Sequence, residues 1–151
     1  MDITEKLKVI IVATDFSAES DKAVDFAAAL VLRNLDSTIY IIHAVREPFV
    51  PIGDAVGSSE IVMENTETVI KSTRERVERT VSKLKNMGIS EVHGSVRMGD
   101  PVTVILDAIQ EYNAGLVIMG TRKHGFAKGI FFGSVSERVS ANSPVSVLVV
   151  R

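Results

Sequence analysis

Cysteine is absent from this chain of 151 residues. That excludes disulfides and thiolate metal sites, and it fits a reducing compartment. Aromatic residues make up only 5% of the chain, too few for a row of base-stacking platforms. A basic surplus is missing as well: the formal net charge is -2, whereas a general nucleic-acid binder carries excess lysine and arginine. No stretch approaches the roughly 18 continuous apolar residues of a membrane span. The opening "MDITEKLKVIIVATDF" holds a short apolar run that a polar turn interrupts, which falls short of a secretory signal. Neither nucleic acid nor membrane is expected among the partners, and the expected location is cytoplasmic.

What remains is ordinary globular composition, 46% hydrophobic and 24% charged. The length suits one domain over residues 1–151, large enough to bury a sizeable core. No repeat, low-complexity tract or interdomain linker interrupts it.

Short β-branched runs alternate with helical patterns from end to end. "VIIVA" (Val9 to Ala13) has the continuous apolar character of a strand covered on both faces. Ser17 is placed to cap a helix running to about Arg33, with Ala23, Val24, Ala27, Leu30 and Val31 at helical spacing. "STIYIIHAV" (Ser37 to Val45) is a second strand. The loop "REPFVPIGDAVGSSE" follows, long enough to suggest function or mobility. A helix from about Ser59 to Met87 places Ile61, Val62, Val69, Ile70, Val77, Val81 and Leu84 largely on one stripe, and Gly88 ends it. "SEVHGSVRM" is the third strand. Asp100 then caps a helix with Pro101 at its first position. "AGLVIMG" is the fourth strand, a helix starts near Ser134, and "PVSVLVV" is the fifth strand.

This alternation predicts a single-domain α/β fold: a doubly wound, five-stranded parallel sheet with helices on both faces. Ligands of such sheets bind beyond the carboxyl ends of the strands, where the strand order reverses. Three turns meet that description: "ATDFS", "HAVREP" and "GTRKHGFAKGIFFGS".

In the last of these, glycines let the backbone approach an anion. A helix beginning at Ser134 offers unpaired N–H groups and a positive dipole end. Ser134 and Ser136 add hydroxyls, and Arg122, Lys123 and Lys128 add charge. The same turn also reads as an irregular loop before a capped helix. Asp15 could accept hydrogen bonds from a base or ribose, or could serve only the local turn. His43, inside an apolar run, reads as a satisfied core residue. No metal-ligand spacing links His93 or His124 to other ligands, and no serine sits in a nucleophile-elbow pattern.

Taken together, "ATDFSAESDKAVDFAAAL", "IIHAV", "GDPVTVILDAI" and "VIMGTRKHGFAKGIFFGSVSERVSANSPVSVLVV" resemble the universal stress protein family over nearly the whole chain. The C-terminal third is the most specific part. The resemblance implies a Rossmann-like fold of the adenine nucleotide alpha hydrolase type. The family's nucleotide-binding branch carries Gly, two residues, Gly, nine residues, then Gly-Ser or Gly-Thr. Gly120 matches the first glycine, and Gly133 with Ser134 matches the end, while Lys123 stands at the second glycine. By the same likeness, Asp15 matches the aspartate that contacts the adenosine moiety, with Ala13 and Thr14 before it as nucleotide-binding candidates, and the backbone of Ala44 reads the adenine edge. Backbone and hydroxyl groups at Ser134, Val135 and Ser136 face the phosphates, and Arg122 and Lys123 are nucleotide-binding candidates through their charge. The implied ligand is ATP, with AMP and ADP as further candidates, and Mg²⁺ or Mn²⁺ would enter only through the phosphates.

The resemblance thus implies an adenine-nucleotide-binding stress sensor or regulator, at most a slow ATPase, forming a homodimer through the C-terminal strand. Because Lys123 replaces a motif glycine, the alternative is a non-nucleotide dimeric interaction module. A phosphoacceptor receiver domain would need acidic neighbours beside Asp15, and an α/β ATP pyrophosphatase would need a serine-glycine-rich first loop; both are missing.

Overall fold

The computed structural model describes residues 2–33, 36–48, 58–121 and 134–151. Five strands, β1 (Val9–Ala13), β2 (Thr38–Val45), β3 (Val92–Met98), β4 (Leu116–Gly120) and β5 (Ser146–Val150), form one sheet in the order β3-β2-β1-β4-β5. Every pairing is parallel. Among the described residues five helices accompany them: α1 (Ile3–Lys6), α2 (Ala18–Leu32), α3 (Ser58–Asn86), α4 (Pro101–Glu111) and α5 (Ser134–Asn142). The single turn of α1 is the one described element that hydrophobic periodicity does not announce.

Alternation along the central strands divides the core in two. Ile10 and Val12 of β1 face one side, where they pack with Ala23, Ala27 and Val31 of α2 and Val77, Val81 and Leu84 of α3. Ile11 faces the other side, against Val102, Ile105 and Ile109 of α4 and Val139 of α5. The alanines of α2 let that helix lie close to the sheet. Because β1 pairs with β2 on one flank and β4 on the other, the chain reverses its direction of sheet growth at β1.

The helix ends follow local chemistry. The hydroxyl of Ser17 accepts from the Ser20 N–H at 3.2 Å, and Asp100 accepts from the Thr103 N–H at 3.2 Å with Pro101 in the first turn. Gly88 takes φ +103° after α3, while the Ile89 N–H bonds the Leu84 carbonyl and the Gly88 N–H bonds that of Lys85. That is a Schellman closure, which favours glycine at the left-handed residue. Asn113 closes α4 in the same way at φ 51°.

The stripe on α3 is shorter than its periodicity suggests. Val77, Val81 and Leu84 are buried, but Val69 is 48% exposed. A 29-residue helix is about 43 Å long, whereas the eight residues of β2 span about 26 Å. Only the C-terminal part of α3 can therefore lie on the sheet.

Candidate functional site

At the carboxyl ends of β1, β2 and β4 the sheet opens into a cavity of about 360 Å³. Its walls come from three directions. Ala13, Thr14 and Asp15 extend from β1, and Ile42, His43, Ala44 and Arg46 come from β2 and the turn beyond it. Met119 and Gly120 end β4, and Pro101, Ile105, Val135 and Ser136 close the space from the starts of α4 and α5. A wider depression of about 1210 Å³ runs along α3, lined by that one helix from Glu67 to Asn86 and by Met87 just beyond its end. Among the described residues nothing converges on it from a second element, so it lacks the enclosure of a ligand site.

The turn after β1 is tightly organised. The Thr14 N–H bonds the Ile42 carbonyl at 2.9 Å, extending the β1–β2 ladder by one residue. Buried Thr14 places its hydroxyl 3.1 Å from that of Ser20, and accepts from the Phe16 N–H at 3.0 Å. Asp15 is exposed, and its Oδ1 accepts from the Ser17 N–H at 3.0 Å. The local role expected of Asp15 is therefore filled, and the residue lines the cavity as well.

Phe16 adopts φ 61°, a left-handed conformation that costs a bulky residue about 1–2 kcal/mol. Its ring is gripped on two sides. His43 stacks against it at 4.6 Å between centroids, and the Arg76 guanidinium lies 4.0 Å over it. Backbone strain of this kind collects at functional sites when the surroundings over-determine it.

His43 departs from the core role expected of it. The ring is half-buried and borders the cavity, with Nδ1 2.8 Å from the Thr14 carbonyl. A carbonyl only accepts, so Nδ1 carries the proton. Burial lowers the His43 pKa; the Thr14 carbonyl and Asp15 oppose that shift, and Arg76 adds to it. The imidazole is therefore held neutral near pH 7.

Gly120 shows why glycine ends β4. A Cβ there would meet the backbone of Glu19, and the Ser20 nitrogen at 2.6 Å, at the start of α2. Only glycine lets β4 end so close to that helix, and this demand exists without any ligand.

Opposite the β1 turn stands an ionic group that the sequence patterns did not single out. Arg46 Nη1 is 4.0 Å and Arg138 Nη1 is 3.7 Å from Asp100 Oδ1. The hydrogen bond from the Thr103 N–H, its largest influence, lowers the Asp100 pKa; desolvation opposes it, and the guanidinium groups of Arg138 and Arg46 add smaller lowering effects. Arg46 belongs to "HAVREP", one of the three turns beyond strand ends, so its position was legible though its role was not.

Of the candidate residues, Ala13, Thr14, Asp15, Ala44, Gly120, Val135 and Ser136 surround one cavity. Ser134 begins α5. Arg122, Lys123 and Gly133 lie outside the described residues, as do the centre of the long loop after β2 and Lys128. Among the described residues, no group of three histidine, aspartate or glutamate side chains comes together to hold a metal ion, and no helix is long and apolar enough to cross a membrane.

The model of the universal stress protein family matches residues 6–151. A universal stress protein of Methanocaldococcus jannaschii is 30% identical over 145 residues, covering 95% of this chain and 82% of the relative. Among solved structures, universal stress protein UspA of Lactobacillus plantarum aligns with a TM-score of 0.81 at 15% identity, over 96% of this chain and 98% of that one. A universal stress protein of Archaeoglobus fulgidus in complex with dAMP aligns with a TM-score of 0.65 at 20% identity, over 96% and 98% of the two chains.

Proposed function

The chain belongs to the universal stress protein family, and from that premise we propose that it binds an adenine nucleotide as a stress-response regulator. The observation that carries this is the cavity at the strand-order reversal, which gathers seven of the positions that the family likeness assigns to nucleotide. A dAMP complex of a relative with the same fold supports it. Asp15 takes the ribose, the Ala44 backbone reads the adenine edge, and the first residues of α5 receive phosphate at the positive end of the helix dipole.

The apolar part of the cavity, Ile42, Ile105 and Met119, suits a flat purine. Turnover is at most slow in this reading, and the protein acts through its bound state. A divalent ion, where present, is held by the phosphates and neutralises their charge. Lys123 costs about 1 kcal/mol if its position requires positive φ, and its ammonium offsets that cost beside phosphate.

Calorimetric titration of nucleotide-free protein with ATP and AMP tests this directly. Saturable heat at micromolar to millimolar ligand is expected; no heat at millimolar concentration of either overturns the proposal. Binding that appears only in Lys123→Gly would favour the non-nucleotide alternative for the natural chain.

Assembly is a second part of the proposal. Among the described residues strand β5 pairs with β4 alone, and Val147, Leu148, Val149 and Val150 stay half-exposed in the single chain. An open edge of this kind is suited to pairing with a second copy. Sedimentation equilibrium is expected to give a dimer, and Leu148→Lys a monomer.

A further inference from the structure

We propose that Arg46 and Arg138, tethered to Asp100, form an anion subsite at the cavity mouth that selects phosphorylated ligands over the uncharged nucleoside. This rests on the nucleotide function above and adds to it two residues outside the glycine-rich turn.

Three observations carry it. First, the charges do not balance: two guanidinium groups share one carboxylate oxygen, Asp100 Oδ1, at 4.0 and 3.7 Å. The other oxygen, Oδ2, is engaged by the Thr103 N–H as the cap of α4. The trio therefore has a net positive charge. Second, both contacts are long. A well-formed guanidinium–carboxylate fork sits near 2.7–2.9 Å. Arg46 and Arg138 side chains are 67% and 59% exposed, so their pairing with Asp100 is weak and either can move to another anion.

Third, the placement is right. Arg46 lines the cavity, and Pro101, the residue after Asp100, lines it too. Arg138 follows Ser134 by four positions, one helical turn along the same face of α5. A phosphate received at the start of that helix lies within one turn of the Arg138 guanidinium. Asp100 then holds the two cations in place until an anionic tail competes for them. The fork geometry of arginine suits phosphate oxygens in particular.

The test is to titrate wild type, Arg46→Ala/Arg138→Ala and Asp100→Asn with adenosine, AMP and ATP, at about 20 and 300 mM salt. Asparagine also caps helices, so Asp100→Asn preserves α4. In the double arginine variant, ATP affinity falls about tenfold or more at low salt, while adenosine affinity changes much less. AMP loses less, and the difference shrinks at high salt because the groups are exposed. Asp100→Asn raises the ATP-to-adenosine affinity ratio by releasing both cations. An unchanged ratio in the double variant, with adenosine still bound, overturns the subsite and leaves the nucleotide function standing. Wild-type protein that binds none of the three ligands overturns the nucleotide function itself, and the subsite with it.

Discussion

The two ends of the sheet are built from similar pieces and behave in opposite ways. At the amino ends of the strands the chain is sealed. The Ser37 hydroxyl donates to the Leu7 carbonyl at 2.6 Å, and the Thr38 and Gly115 N–H groups bond the carbonyls of Lys8 and Val9. Gly115 is pressed so closely on Lys6 that a Cβ would enter its backbone. At the carboxyl ends a cavity of about 360 Å³ lies between the turns, lined in part by a neutral histidine that stacks on a left-handed phenylalanine and by Arg46 of a loosely paired ionic trio. Both ends contain a glycine that permits close backbone approach, Gly115 at one and Gly120 at the other. The lesson is that close packing alone does not mark a functional site. A site needs, in addition, polar groups that converge on space they do not fill.

The sharpest way to break this comparison is to add one methyl group at each end. Gly115→Ala and Gly120→Ala each force backbone apart, and each is expected to cost about 3 kcal/mol in urea unfolding. Their effects on binding differ. Folded Gly115→Ala protein binds ATP with wild-type affinity, whereas Gly120→Ala displaces the β1–β4 end of the cavity and weakens binding more than tenfold. Equal affinities in the two variants would remove the distinction between sealed and open ends.

A smaller effect is expected at Phe16. Phe16→Ala loses the contacts with His43 and Arg76 and destabilises by about 1–2 kcal/mol. Phe16→Gly loses the same contacts but relieves the left-handed backbone, so it is expected to be more stable than the alanine variant by about 1 kcal/mol. Chemical denaturation of both variants measures the difference. An alanine variant as stable as the glycine one would mean that the φ of 61° carries no strain.

The smallest effect is a pH slope from His43. Its folded pKa is depressed below 6.5, so between the two values the unfolded chain binds more protons than the native one. The stability from neutral His43 is complete above about pH 6.5. It declines as pH falls from there to the lower folded pKa. Urea titrations between pH 5 and 7.5 should show that slope in wild type and a shallower one in His43→Gln. Identical slopes would show that the histidine is not held neutral.

Much of this was legible in the residues themselves. Ser17, Gly88, Asp100 and Pro101 announced their helix ends through chemistry confined to a few neighbouring residues. The five strands were legible because buried parallel strands are continuous apolar runs. The caps and runs were therefore found at the expected places, with strand ends shifted by two residues or fewer. The limits were equally physical. Asn113 closes α4 as Gly88 closes α3, yet asparagine is common enough in turns that nothing distinguished it beforehand. The apolar stripe of α3 suggested burial at Val69, because periodicity reports which face is apolar and cannot report how far the sheet beneath extends.

The site divides along the same line. Asp15, Ala44, Gly120 and the Ser134–Ser136 turn stand at strand ends or at a helix start, and the sequence by itself determined that they belong to turns on the carboxyl side of a parallel sheet. It also determined the family likeness, which depends on spacing along the chain. Only the tertiary structure decided that His43 leaves the core to stack on Phe16, that Arg76 completes the stack from α3, and that Arg46 meets Arg138 on Asp100. Those contacts join residues 27 to 60 positions apart on elements whose relative placement is set by sheet order. Local propensity carries no information about such distances; it was the packing of helices on both faces that brought these side chains to one rim.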